Sequence, residues 1–115
     1  MVKLLVGVGQ VTLLLRHAQS LKDKRHVVQG LTQRLKNRGF TVTECGYRDE
    51  PKKLVLGFSY VADEAHEVEK AFDQILPYFL GDYDIVEKKR EIVDFFDEET
   101  IDLDDALEND PREPY

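Results

Sequence analysis

The 115 residues, 42% apolar and 34% charged, are enough for one domain with a core and too few for two ordinary ones. The single cysteine, Cys45, excludes an internal disulfide framework. No apolar run approaches the roughly 18 residues that a membrane span requires, so a cytoplasmic protein with no membrane segment is the expectation.

The net charge of −7 is unevenly spread. Residues 97–115 carry −8 and residues 1–96 carry +1, while residues 16–38 hold seven cations against Asp23 alone. This predicts a domain over 1–96 followed by an acidic tail over 97–115, disordered or loosely docked. A basic segment of this size raises the local potential and attracts anionic partners, and an acidic tail can compete for the same surface.

Residues 2–15 form a strand with two apolar sides, Leu4, Val6, Val8, Gln10, Thr12 and Leu14 on one and Leu5, Gly7, Gly9, Val11, Leu13 and Leu15 on the other. Ser20, with Asp23 three residues on, caps a helix over 21–38 in which Leu21, Val28, Leu31 and Leu35 recur at helical spacing until Asn37-Arg38-Gly39 ends it. Its opposite stripe carries Lys22, His26, Gln29, Gln33 and Lys36, with Arg25 facing outward beside them. Lys24 falls on the apolar side, beside Val28 and Leu31. Two readings are open for it: a stem that snorkels past the sheet edge, or a group that holds an anion.

Alternation from Phe40 to Cys45 predicts a second strand, and Leu54 to Val61 a third, joined as a hairpin by the polar stretch Tyr47 to Lys53. Asp63 is placed to cap a second helix carrying Ala65, Val68, Phe72, Ile75 and Phe79, with Pro77 bending its last turn. Residues 83–96 read as a long final strand with a bulge or a late start. The βαββαβ order predicts an α+β ferredoxin-like sandwich, with a four-stranded antiparallel sheet in the order 4-1-3-2 and two helices on one face.

The run Ser20-Leu21-Lys22-Asp23-Lys24-Arg25-His26-Val27-Val28, followed by Leu31, Arg34, Leu35, Asn37 and Arg38, resembles the signature helix of the YlxP-like family, a bacterial domain of unknown function. Val6-Gly7-Val8, Val11-Thr12-Leu13, Leu56-Gly57-Phe58 and Val68-Glu69-Lys70 extend the resemblance over about residues 3–96. It implies a ferredoxin-like fold and a cytoplasmic bacterial protein, often encoded beside ribosome-maturation and translation-initiation factors. It implies no activity. The acidic tail lies outside it. Leu56 to Asp63 also resembles in part the aromatic octamer of RNA-recognition motifs, in which Phe58 and Tyr60 would project from one sheet face and stack on bases. Leu56 and Asp63 depart from that pattern, and small Gly57 and Ser59 on the other face would let the helices approach closely, so packing alone explains it.

Signs of catalysis are missing. Gly7-Val8-Gly9 does not continue into a dinucleotide fingerprint. Acylphosphatases share the strand order, but here Arg16 follows three leucines and no asparagine lies between 40 and 60. His17, His26 and His66 stand singly in different elements, and neither they nor Cys45 make a metal set. The expectation is therefore a protein that is not an enzyme, with no cofactor, metal or known small-molecule ligand. Its leading reading is RNA or ribosome binding through Arg16, His17, Lys22, Lys24, Arg25 and Lys36. The alternative is a homodimeric scaffold or small-ligand module using an open sheet face of Val6, Val8, Leu54, Leu56, Phe58 and Tyr60.

Overall fold

The computed structural model describes residues 2–96, so the acidic tail expected at 97–115 lies outside the described residues. The elements are β1 (Leu5–Leu15), α1 (Leu21–Asn37), β2 (Thr41–Gly46), β3 (Lys53–Ala62), α2 (Ala65–Ile75), a 3-10 turn (Leu76–Phe79) and β4 (Tyr83–Asp94). The sheet runs β2-β3-β1-β4 with every pair antiparallel, which is the expected ferredoxin-like order read from the other edge. The expected bulge is present: the β1–β4 register shifts between Thr12 and Leu13, and Val86 is the extra residue.

Local chemistry sets the boundaries of α1. Ser20 Oγ accepts a hydrogen bond from the Asp23 amide at 3.1 Å, and Asp23 Oδ2 accepts one from the Gln19 amide at 3.0 Å, so two of the helix entrance's amide donors are satisfied. At the other end the Phe40 amide donates to the Leu35 carbonyl and the Gly39 amide to that of Lys36, a Schellman closure. That closure needs a left-handed residue, and Gly39 takes it at φ +89°. In α2 the helix begins one residue later than expected. Glu64, not Asp63, is the N-cap, and it makes no side-chain capping bond, its carboxylate lying 3.1 Å from His66 Nδ1.

Both helices cover one side of the sheet, and the core lies between. Leu13 and Leu15 of β1, Leu31 and Leu35 of α1, Leu54 and Leu56 of β3, and Val68 and Ile75 of α2 are wholly buried. Each such side chain contributes roughly 1.5–3 kcal/mol by leaving water. Around them Phe58 stacks on Phe79 at 5.7 Å and approaches Phe72 at 5.8 Å and Phe40 at 5.9 Å.

This arrangement corrects the face expected for β3. Gly9 pairs with Phe58, and Gly7 with Tyr60, so these aromatics share the side of β1 that carries Leu5, Val11, Leu13 and Leu15. Leu54, Leu56 and Phe58 are buried under the helices, and Tyr60 is half-buried there against Phe40. None of the four lies on the open face. The cause is where the helix layer finds room. A Cβ on Gly7 would stand 2.4 Å from Phe72 and Val68, and one on Gly9 2.3 Å from Phe58, so it is the β1 glycines that admit the aromatics and α2. The open face carries the other set: Val6, Val8, Gln10, Thr12 and Leu14 of β1, Val55, Gly57, Ser59 and Val61 of β3, Thr41, Thr43 and Cys45 of β2, and Glu87, Lys89, Glu91 and Val93 of β4.

Candidate nucleic-acid interface

Helix α1 presents its charge outward because its apolar stripe is used up on the core. Lys22, Arg25, His26, Gln29, Gln33 and Lys36 are all exposed. The helix holds five cations and one acid, and that acid, Asp23, is occupied at the cap. Asp23 keeps its charge at the entrance, and beyond it no acid stands on the helix over about 20 Å to Lys36, although Asp49 of the β2–β3 turn lines a hollow with Arg25. Cations in the last turn, Arg34 and Lys36, also complement the helix dipole. By contrast α2 carries Glu67, Glu69 and Asp73 against Lys70, so the helical layer is basic on one half and acidic on the other.

Not all of the expected cations join this surface. Arg16 is exposed, with its Nε 3.2 Å from Asp84 Oδ2. His17 is exposed in the turn after β1, beside Ala18, Asp23, Val27, Asp82 and Tyr83. Lys24 departs altogether: it is only 2% exposed. Its ammonium stands 3.0 Å from Glu44 Oε2 and donates a hydrogen bond to the Tyr47 carbonyl. Glu44 Oε2 is itself buried, and no hydrogen-bond donor is aligned on it among the described residues, so the ammonium charge is its compensation. Of the two readings of Lys24 from the sequence, snorkelling does not fit this geometry and anion holding fits only in part. The stem does not snorkel to water, and the anion it holds is a carboxylate of its own chain.

Lys24 instead fixes the β2–β3 turn. Tyr47 lies there at φ +53°, an uncommon conformation for a residue with a Cβ, and Lys53 Nζ sits 4.1 Å from its ring centroid. Lys52 Nζ donates to the Ala18 carbonyl at 3.1 Å, tying this turn to the one that precedes α1. The ties bring Arg48, Lys52 and Lys53 to the same end of the fold as Arg16, His17 and Lys22. Sequence reasoning passed over these three and Glu44. The signal for Glu44 was available: alternation with Val42 points it at the helices, where only a cation can meet it. At the far end of α1, Arg38 Nε donates to the Tyr78 hydroxyl at 3.0 Å and Arg34 lies 5.9 Å from the Tyr78 ring, which secures the helix to the 3-10 turn.

Phe58 offers no stacking platform, being in the core, and Tyr60 is half-covered. Elsewhere Glu64, His66 and Glu67 bring one ligand atom each within 4.8 Å, all three exposed, where the sequence had left the histidines single.

A family model described as a protein of unknown function, DUF503, matches residues 6–94. The chain belongs to the DUF503 family. Among solved structures, this DUF503 chain is similar to the de novo designed protein Foldit4, with a TM-score of 0.47 and 12% identity over 77% of this chain and 96% of that one. It is also similar to a dimeric ferredoxin-like protein from an uncultured marine organism, with a TM-score of 0.42 and 12% identity over 79% of this chain and 95% of that one. No curated protein matches it. No helix among the described residues is long and apolar enough to cross a membrane.

Proposed function

We propose that this DUF503 protein is a non-enzymatic RNA-binding protein that lays the outward stripe of α1 along a phosphate backbone. The observation that carries the reading is the exposed row of Lys22, Arg25 and Lys36, with no acid on the helix except the capping Asp23. Phosphate contacts supply the sequence-independent part of nucleic-acid affinity, and they ask only for accessible cations on a rigid element. Arg16, His17 and Lys52 extend the surface past the start of the helix, and Lys24 takes no part. With Phe58 and Tyr60 under the helices, recognition rests on backbone charge and not on base stacking, unlike that of RNA-recognition motifs. The resemblance to YlxP-like proteins, with their translation-factor neighbours, favours ribosomal RNA as the partner.

The test is purification at low salt followed by the ratio of nucleic-acid to protein absorbance, before and after ribonuclease. The reading expects copurifying RNA that a Lys22→Glu/Arg25→Glu/Lys36→Glu variant loses while keeping its circular dichroism spectrum. Protein free of RNA at low salt, with no binding of added RNA, would overturn it.

A further inference from the structure

The open face of the sheet carries a pattern that its own register makes legible. Reading across β3, β1 and β4, one row is Val61, Val6 and Val93, the next is Ser59, Val8 and Glu91, and the next is Gly57, Gln10 and Lys89. Thr41 and Thr43 of β2 continue the second and third rows. Val8, Val61 and Val93 are 48%, 59% and 43% exposed, so a ridge of valines stands in water at one end. Beside it a hollow of about 320 Å³ opens over Gly57, between Val8, Gln10, Thr41, Thr43 and Ser59. Large side chains on β1 therefore sit opposite small ones on β3, and apolar ones opposite apolar ones.

We infer that this face is covered by a second copy of the same chain, related by a two-fold axis running parallel to the strands between β1 and β3. Such an axis keeps each row in place and lays β1 of one copy over β3 of the other. Val6 then meets Val61, Val8 meets Ser59, Gln10 meets the space over Gly57, and the Leu14 side chain lies along the Lys53 stem, each contact occurring twice. The two sheets pack about 10 Å apart and within about 30° of alignment, the usual geometry for stacked sheets.

Side-chain size favours this axis over the other face-to-face choice. A two-fold axis perpendicular to the strands would set β1 on β1 and β3 on β3, placing the large Val8 and Gln10 side chains on one another and leaving the hollow over Gly57 unfilled. Centred on the Lys89 row it would also set Glu87 against Glu91 and Lys89 against itself along β4. The parallel axis sets β4 over β2, where Glu91 and Lys89 meet Thr41 and Thr43, hydroxyls that accept either sign. Four strands at ~4.8 Å spacing and the ~27 Å from Val6 to Leu14 give about 500 Å² per copy in plan. The total, near 1,000 Å², is at the small end of stable interfaces, so the dimer should form reversibly in the micromolar range. Because α1 lies on the other side of the sheet, this inference stands or falls apart from RNA binding.

Sedimentation equilibrium of the full chain tests it. The weight-average mass should rise with concentration from 13.3 kDa towards twice that value. Val61→Glu and, separately, Ser59→Arg should hold it at the monomer while the thermal melt stays cooperative, and the α1 charge-reversal triple should leave association unchanged. Orientation is read by Thr41→Lys, which places an ammonium opposite Glu91 of the second copy and far from Glu91 of its own: association should tighten about threefold or more, and Thr41→Glu should weaken it. A monomer at every concentration overturns the inference, as does a dimer indifferent to Val61→Glu. Failure of Thr41→Lys to tighten association overturns the axis.

Discussion

Replacing Lys24 by Met separates its structural role from the binding role its neighbours are given. The substitution keeps the apolar stem and removes the ammonium, leaving the Glu44 carboxylate without its partner and the Tyr47 carbonyl with the Glu50 amide alone. Breaking a buried pair from one side costs about 3–5 kcal/mol. Glu44 keeps 18% of its side chain in water, which relieves part of that cost, so about 2–3 kcal/mol is expected here. For a domain of this size that lowers Tm by about 8–24 °C. The assay is urea unfolding followed by circular dichroism, on wild type, Lys24→Met, Glu44→Leu and the double variant. The double variant should recover most of the loss, because an apolar pair in place of a buried ionic one is often neutral. The folded Lys24→Met protein should bind RNA with wild-type affinity. A loss of stability below about 0.5 kcal/mol, the usual range for surface substitutions, together with weakened RNA binding, would refute the reasoning and return Lys24 to the binding surface.

Other outcomes follow from the same geometry. Gly9→Ala should destabilise the fold by about 1–3 kcal/mol in the same urea assay, since its Cβ would press on the Phe58 and Phe72 rings. Gly30→Ala, with nothing within 4 Å of the added carbon and a helical backbone, should stabilise by about 0.5–1 kcal/mol. Ser20→Ala should cost about 1 kcal/mol through loss of the α1 cap. Deleting residues 97–115 removes a charge of −8, and fluorescence anisotropy should then report tighter RNA binding if the tail competes for α1.

The sequence was most readable where a pattern had one solution. In α1 a capped start, a helical apolar stripe and a glycine stop agree, and both ends fall within a residue of the expected ones. In β3 the alternation had two solutions: Leu54, Leu56, Phe58 and Tyr60 form one apolar set, while Val55 and Val61 flank small residues in the other. Small Gly57 and Ser59 suggested the side where helices approach closely. That approach occurs instead one strand over, at Gly7 and Gly9, and only the β1–β3 register reveals it. Lys24 failed for a related reason. Its place on the apolar side was visible, but its partner is 20 residues away, and the crossover that brings Glu44 beneath the helix is a tertiary fact.

The salt dependence of RNA affinity tests the central claim most directly. Lys22, Arg25 and Lys36, joined by Arg16, would neutralise three or four phosphates. For a single-stranded RNA, log affinity should then fall with log salt at a slope of about −2 to −3. Measured by anisotropy, wild type should give that slope, and the Lys22→Glu/Arg25→Glu/Lys36→Glu variant should give weak binding with a slope near zero. Equal slopes for the two proteins, or no binding by wild type at about 50 mM salt, would contradict the assignment of α1 as the nucleic-acid interface.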